Sequence, residues 1–165
     1  MEDRPWSTTT SAERIAQFLR TCPPARVTIV VEAATVEGLA WLAANTAGRE
    51  LRLVLGNAFS EGWETAPAGV HRETVAGLFA RADVETRFWQ PPARRYDGPS
   101  ISVWYTDGPP PDALNATTQL TAACLHEHID SIGSVQTSDL DYVRHWVQRT
   151  VDGSWDATQA LHQAP

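Results

Sequence analysis

His126, Glu127 and His128 form the most suggestive local string of chemistry-bearing residues in the chain. The segment Glu127–Ile132 reads as a strand. On such a strand His126 and His128 point to one face and Glu127 to the other. Two imidazoles so placed are half of a metal site, which a third ligand such as His71, Asp130 or His145 could complete. The plainer reading is a pair of partly exposed structural histidines. It is the expectation here, with no metal and no other cofactor, and the metal site stands as the alternative.

The remaining candidates carry less. Asp83 and Glu85 lie two apart near a strand start, as a nuclease carboxylate pair can, but no lysine accompanies them. Asp139 and Asp141 fall in the first turn of a helix, where its positive end accounts for them. In His71-Arg72-Glu73, also at a helix start, Glu73 suits the dipole and His71 does not; a surface turn is the reading. Ser60 and Ser100 lack a Gly-x-Ser-x-Gly elbow. Cys22 and Cys124 stand in no metal-ligand spacing, and free buried thiols are expected. All 13 Lys+Arg residues are arginine, so the chain has no lysine. That removes every mechanism resting on a phosphate-loop, Schiff-base or nuclease lysine. Abundant Ala, Arg, Gly, Pro, Thr and Val fit a GC-rich bacterial genome; protection from lysine-directed tagging is the sharper alternative.

The 165 residues carry a net charge of −7 and a pI near 5.1. That sign disfavours a nucleic-acid partner held on a broad basic surface, though not a local arginine patch. The apolar share of 42% and seven tryptophans suit a folded globule of one domain. No apolar run is long enough to span a bilayer, and Met1-Glu2-Asp3-Arg4 does not open a secretory signal. A cytoplasmic protein without membrane contact is the expectation. Trp41 and Trp146 fit apolar helix faces. Trp89, near Arg87, Arg94 and Arg95, suits either packing or a stacking surface for a partner.

These residues need a scaffold, and the periodicity supplies one. Residues 1–10 read as a loose N-terminus. Thr10 or Ser11 caps a helix through Ala12–Arg20, which Pro23-Pro24 ends. Val27–Val31 is a β-branched run with the length of a buried strand, and Leu51–Leu55 reads as a second buried strand closed by Gly56. The helix Val36–Asn45 between them makes a βαβ unit with parallel, neighbouring strands. Asn57–Gly69 reads as a loop and His71–Arg81 as a helix. Val84–Trp89 and Ile101–Tyr105 read as strands, with a linker through Pro91-Pro92 and Arg94-Arg95 between them. Asn115–Cys124 is ambiguous. Ser138 caps a helix to about Val151, and 152–165 reads as a tail. The predicted fold is an α/β domain over 11–151: a mixed, largely parallel sheet with helices on both faces.

Four segments of this order resemble one half of the phospholipase D superfamily, in particular its compact, restriction-nuclease-like members. They are the unit Val27–Gly56 ending Arg52-Leu53-Val54-Leu55-Gly56, the following Asn57-Ala58-Phe59-Ser60-Glu61-Gly62, the strand Ile101–Tyr105, and Asn-Ala-Thr-Thr-Gln-Leu-Thr at Asn115–Thr121. Glu127 and the helix Ser138–Val151 fall where the family has a later carboxylate and a closing helix. The resemblance covers roughly three quarters of the chain. It implies a nucleophilic His, a Lys two residues on, and an Asn that holds the charged oxygens. Here Gly98 stands at the nucleophile, Ser100 at the lysine and Gln119 at the Asn. The resemblance therefore implies a non-catalytic interaction module, a pseudoenzyme that partners itself as a homodimer or another protein, with a link to phage conflict or genome defence. A phosphodiesterase or metal-dependent hydrolase with an atypical histidine site is the alternative.

Overall fold

The computed structural model describes residues 10–56, 58–91, 102–117, 119–126, 132–158 and 161. Gly98, Ser100, Glu127, His128 and Asp130 lie outside them, as does the linker 92–101.

Helix α1 spans Ser11–Thr21 and opens with a capping box. The Thr10 hydroxyl accepts from the Glu13 N–H at 3.2 Å, and the Glu13 carboxylate accepts from the Thr10 N–H at 2.7 Å. Strand β1, Val27–Val31, is buried along its whole length. Helix α2, Val36–Asn45, starts on Thr35, whose hydroxyl accepts from the Gly38 N–H. Strand β2, Leu51–Gly56, runs parallel to β1, as the βαβ pattern predicts.

The segment expected as a loop after β2 contains helix α3, Ala58–Thr65. Phe59 and Trp63 are one turn apart, so they share a face. Both are buried, against Phe79 and, for Phe59, also Phe88. Burying two aromatic rings outweighs the turn propensity of the glycine and prolines around them. Helix α4, Val70–Phe79, and strand β3, Val84–Trp89, follow, with β3 parallel to β2.

The second half of the sheet corrects the expectation of a largely parallel arrangement. Strands β4, Ser102–Thr106, β5, Asp112–Ala116, and β6, Ile132–Ser134, are antiparallel to their neighbours. The short connection 107–111 between β4 and β5 allows only a hairpin, because a parallel return needs a long crossover. Helix α5, Ala122–His126, lies between β5 and β6. Among the described residues the sheet is mixed and mostly antiparallel, in the order β6-β5-β4-β1-β2-β3-β7. The two-residue β7, Trp155–Asp156, pairs antiparallel with β3, so part of the expected tail is built into the sheet.

Side chains alternate across the strands. Val27, Ile29, Leu51, Leu53, Phe88, Trp104 and Leu114 face the layer that holds α1 to α5. Val30, Val54, Trp89, Val103 and Tyr105 face α6, Leu140–Asp152, through Val143, Val147 and Val151. Helices thus cover both faces, as expected. Ser138 sits in a short 3-10 turn, Thr137–Asp139, ahead of α6 rather than capping it. No described helix is long and apolar enough to cross a membrane.

Candidate functional site

The carboxyl ends of parallel strands are where open α/β sheets leave a crevice. β1 leads there into residues 32–35, which turn into α2. This turn is pinned by the segment after β5. The Gln119 carboxamide oxygen accepts from the Glu32 N–H at 2.9 Å and the Ala33 N–H at 3.2 Å. Leu120 donates its N–H to the Ala33 carbonyl, and its own carbonyl accepts from the Thr35 N–H at 2.8 Å. Gly38, in the first turn of α2, sits so close to this strap that a Cβ would run into the Leu120 carbonyl.

Beside this wall lies a cavity of about 580 Å³, within the usual range for small-molecule sites. Its other walls come from α3, the connection 66–69 and the start of α4. Ala34, Val36, Phe59 and Ala66 give it an apolar lining. Glu32 and Glu37 enter from the β1–α2 side, His71 and Arg72 from α4. The Arg72 guanidinium lies 4.5 Å from the Trp63 ring centroid, and its Nη1 donates to the carbonyls of Trp63 at 2.7 Å and Ala66 at 2.9 Å. Stacking and two hydrogen bonds hold it in one orientation.

The opposite end of the parallel strands carries the other charge cluster. Glu85 takes Arg52 at 2.8 Å, Arg87 at 3.1 Å and Arg26 at 3.7 Å. Burial alone would raise its carboxyl, but the hydrogen bonds from Arg52 and Arg87 prevail and hold it below the usual range. Asp83 is lowered by its hydrogen bond from Arg81. The Asp83 and Glu85 pair is therefore a set of ion-pair acceptors. Arg49 donates to the carbonyls of Pro23 at 2.6 Å and Leu19 at 2.7 Å, and Arg81 to that of Arg49 at 2.6 Å.

Of the residues aligned with the phospholipase D site, Gln119 is the described one. It is 5% exposed, and its carboxamide oxygen is committed to backbone, while its Nε2 is buried without a partner. His126 ends α5 rather than standing on a strand, which removes the two-residue strand spacing proposed for it with His128. His145, on α6, hydrogen-bonds the Asp141 carbonyl through Nδ1 at 2.6 Å, and His71 is on α4. Among the described residues no three His, Cys, Asp or Glu side chains come together as a metal site. Cys22 and Cys124 are free thiols; Cys22 is buried, Cys124 half-buried, and burial pushes the Cys22 thiol up.

Trp89 is buried, donates its indole N–H to the Val31 carbonyl at 3.2 Å and packs edge-on against Trp146. It is a core residue and not an exposed stacking surface. Sequence reasoning missed Glu32, Glu37 and Arg72 as a group. The faint signal was a charged residue in the first turn of each of two helices, Glu37 in α2 and Arg72 in α4. No model of a known protein family and no curated protein matches this chain.

Proposed function

We propose that the chain is a non-catalytic binding module: a phospholipase-D-like half without phosphodiesterase machinery, acting as a homodimer or through another protein partner. The observation that carries this reading is the state of Gln119. It aligns with the asparagine that would hold phosphate oxygens, yet its oxygen accepts two backbone N–H groups and its side chain is buried. The oxygen so committed braces the fold, and Nε2, the atom that could donate to a phosphate oxygen, is buried. The lysine-free sequence points the same way, since the family's charge stabilisation calls for one.

The test is a cleavage assay on bis(p-nitrophenyl) phosphate and on single- and double-stranded DNA, in EDTA and in added magnesium, manganese or zinc. The expected result is no turnover above buffer in any condition. Cleavage that follows the protein through purification overturns the reading, and its loss in His126→Ala would assign it to the histidine-based alternative. Light scattering tests the partner: a particle of about twice 18.1 kDa supports the homodimer, and a strict monomer removes it.

A further inference from the structure

The cavity beside α2 and α4 has a composition that selects its ligand. Its acidic groups, Glu32 and Glu37, and its basic or titratable groups, His71 and Arg72, belong to different elements. Among the described residues no salt bridge joins Glu37, His71 or Arg72 to any side chain. Apolar side chains share the lining: Ala34 and Val36 beside the acidic groups, Phe59 from α3 and Ala66 from the connection to α4.

We propose that this cavity binds a small zwitterion with an apolar body, of amino-acid or dipeptide size. Its ammonium group pairs with Glu37, its carboxylate pairs with Arg72 and His71, and its body lies on Ala34, Val36, Phe59 and Ala66. The inference rests on the binding-module reading and assigns that module a site.

Three physical points favour this class over its neighbours. A purely apolar ligand would use the lining of Ala34, Val36, Phe59 and Ala66 but neither Glu37 nor the preset Arg72. A polyanion such as a nucleoside diphosphate would be repelled by the Glu37 carboxylate, which no salt bridge neutralises among the described residues. A zwitterion satisfies both signs at once. The site is also prepared before binding. Arg72 is fixed by Trp63 and two carbonyls, and the Glu32–Thr35 turn is fixed by Gln119 and Leu120. Groups already ordered lose little entropy when a ligand arrives.

The experiment is calorimetric titration of the intact chain with four probes: L-leucine, L-leucyl-L-leucine, 3-methylbutylamine and 4-methylpentanoate. The last two share leucine's body but each carries one of its charges. At least one zwitterion should bind at or below millimolar concentration, and each single-charge probe should bind about tenfold or more weakly. Glu37→Gln, at an exposed position, should lose the same factor for the zwitterion and match the wild type in its melting curve. Equal binding of the amine or the acid overturns the proposal. So does an unchanged affinity in Glu37→Gln, or no binding of either zwitterion up to millimolar concentration. None of these outcomes bears on the cleavage assay, so a failure here is separate from a failure of the non-catalytic reading.

Discussion

The two ends of the parallel strands β1, β2 and β3 are both rich in charge, and they use it differently. At the amino end Glu85 sits among Arg26, Arg52 and Arg87, Asp83 holds Arg81, and Arg49 ties the last turn of α1 to the segment that leaves it. Those charges hold the fold. At the carboxyl end Glu37 and His71 line a cavity without a salt-bridge partner among the described residues, and Arg72 uses one nitrogen to fix itself beside it. A charge cluster is therefore not a site by virtue of being a cluster. What distinguishes the cleft is that Arg72 is ordered by backbone carbonyls and an aromatic ring rather than by a carboxylate, and that Glu37 and His71 beside it join no salt bridge among the described residues.

Substitutions can break this contrast, and the largest effect falls on the wall of the cleft. Gly38→Ala puts a methyl group into the Leu120 backbone carbonyl, which cannot rotate away. It should destabilise the protein by about 3 kcal/mol in urea unfolding. A change below about 0.5 kcal/mol would mean that the strap at Leu120 is loose. Gln119→Leu orphans the N–H groups of Glu32 and Ala33, and the loss of the unpaired Nε2 offsets part of that cost. About 2 kcal/mol is expected. The same variant should speed amide hydrogen exchange at Glu32 and Ala33 more than at Arg52.

At the amino end Glu85→Gln should cost about 1 kcal/mol at neutral pH, since the pairs are partly exposed. The folded carboxyl of Glu85 is lowered, so its contribution is complete above the ordinary carboxylate range. It is lost as pH falls from about 5 through the lowered folded value. Unfolding curves between about pH 6 and 3 should therefore converge for wild type and Glu85→Gln. Parallel curves would contradict the assignment. The smallest stability effect belongs to the cleft charge itself: Glu37→Gln should shift stability by less than about 0.5 kcal/mol. A larger loss would mean that Glu37 is a structural charge after all, and the contrast between the ends would fail.

The first half of the fold was legible because its signals are local. The Thr10 cap, the β-branched run Val27–Val31 and the helix between two buried strands specify α1, β1, α2 and β2 by periodicity alone. Where burial decided against local propensity, the reading failed: α3 exists because Phe59 and Trp63 reach a shared aromatic cluster that the order of residues does not reveal. Strand direction after β3 was equally hidden, since it depends on pairing partners far apart in the chain, such as Ile29 with Trp104. Gln119 was singled out as a site residue and is a latch. Its type and position were visible, but its hydrogen bonds to residues 86 and 87 positions away were not. Arg72 was read as part of a surface turn for the same reason, because its meaning comes from the ring of Trp63 beneath it.

The most direct measurement is amide chemical-shift mapping on isotopically labelled protein titrated with L-leucine and L-leucyl-L-leucine. Shifts should concentrate in residues 32–37 and 62–72 for the zwitterion that binds, with Arg26, Arg52 and Glu85 unmoved. Shifts centred on the arginine–glutamate network, or none at either end up to millimolar ligand, would contradict the account.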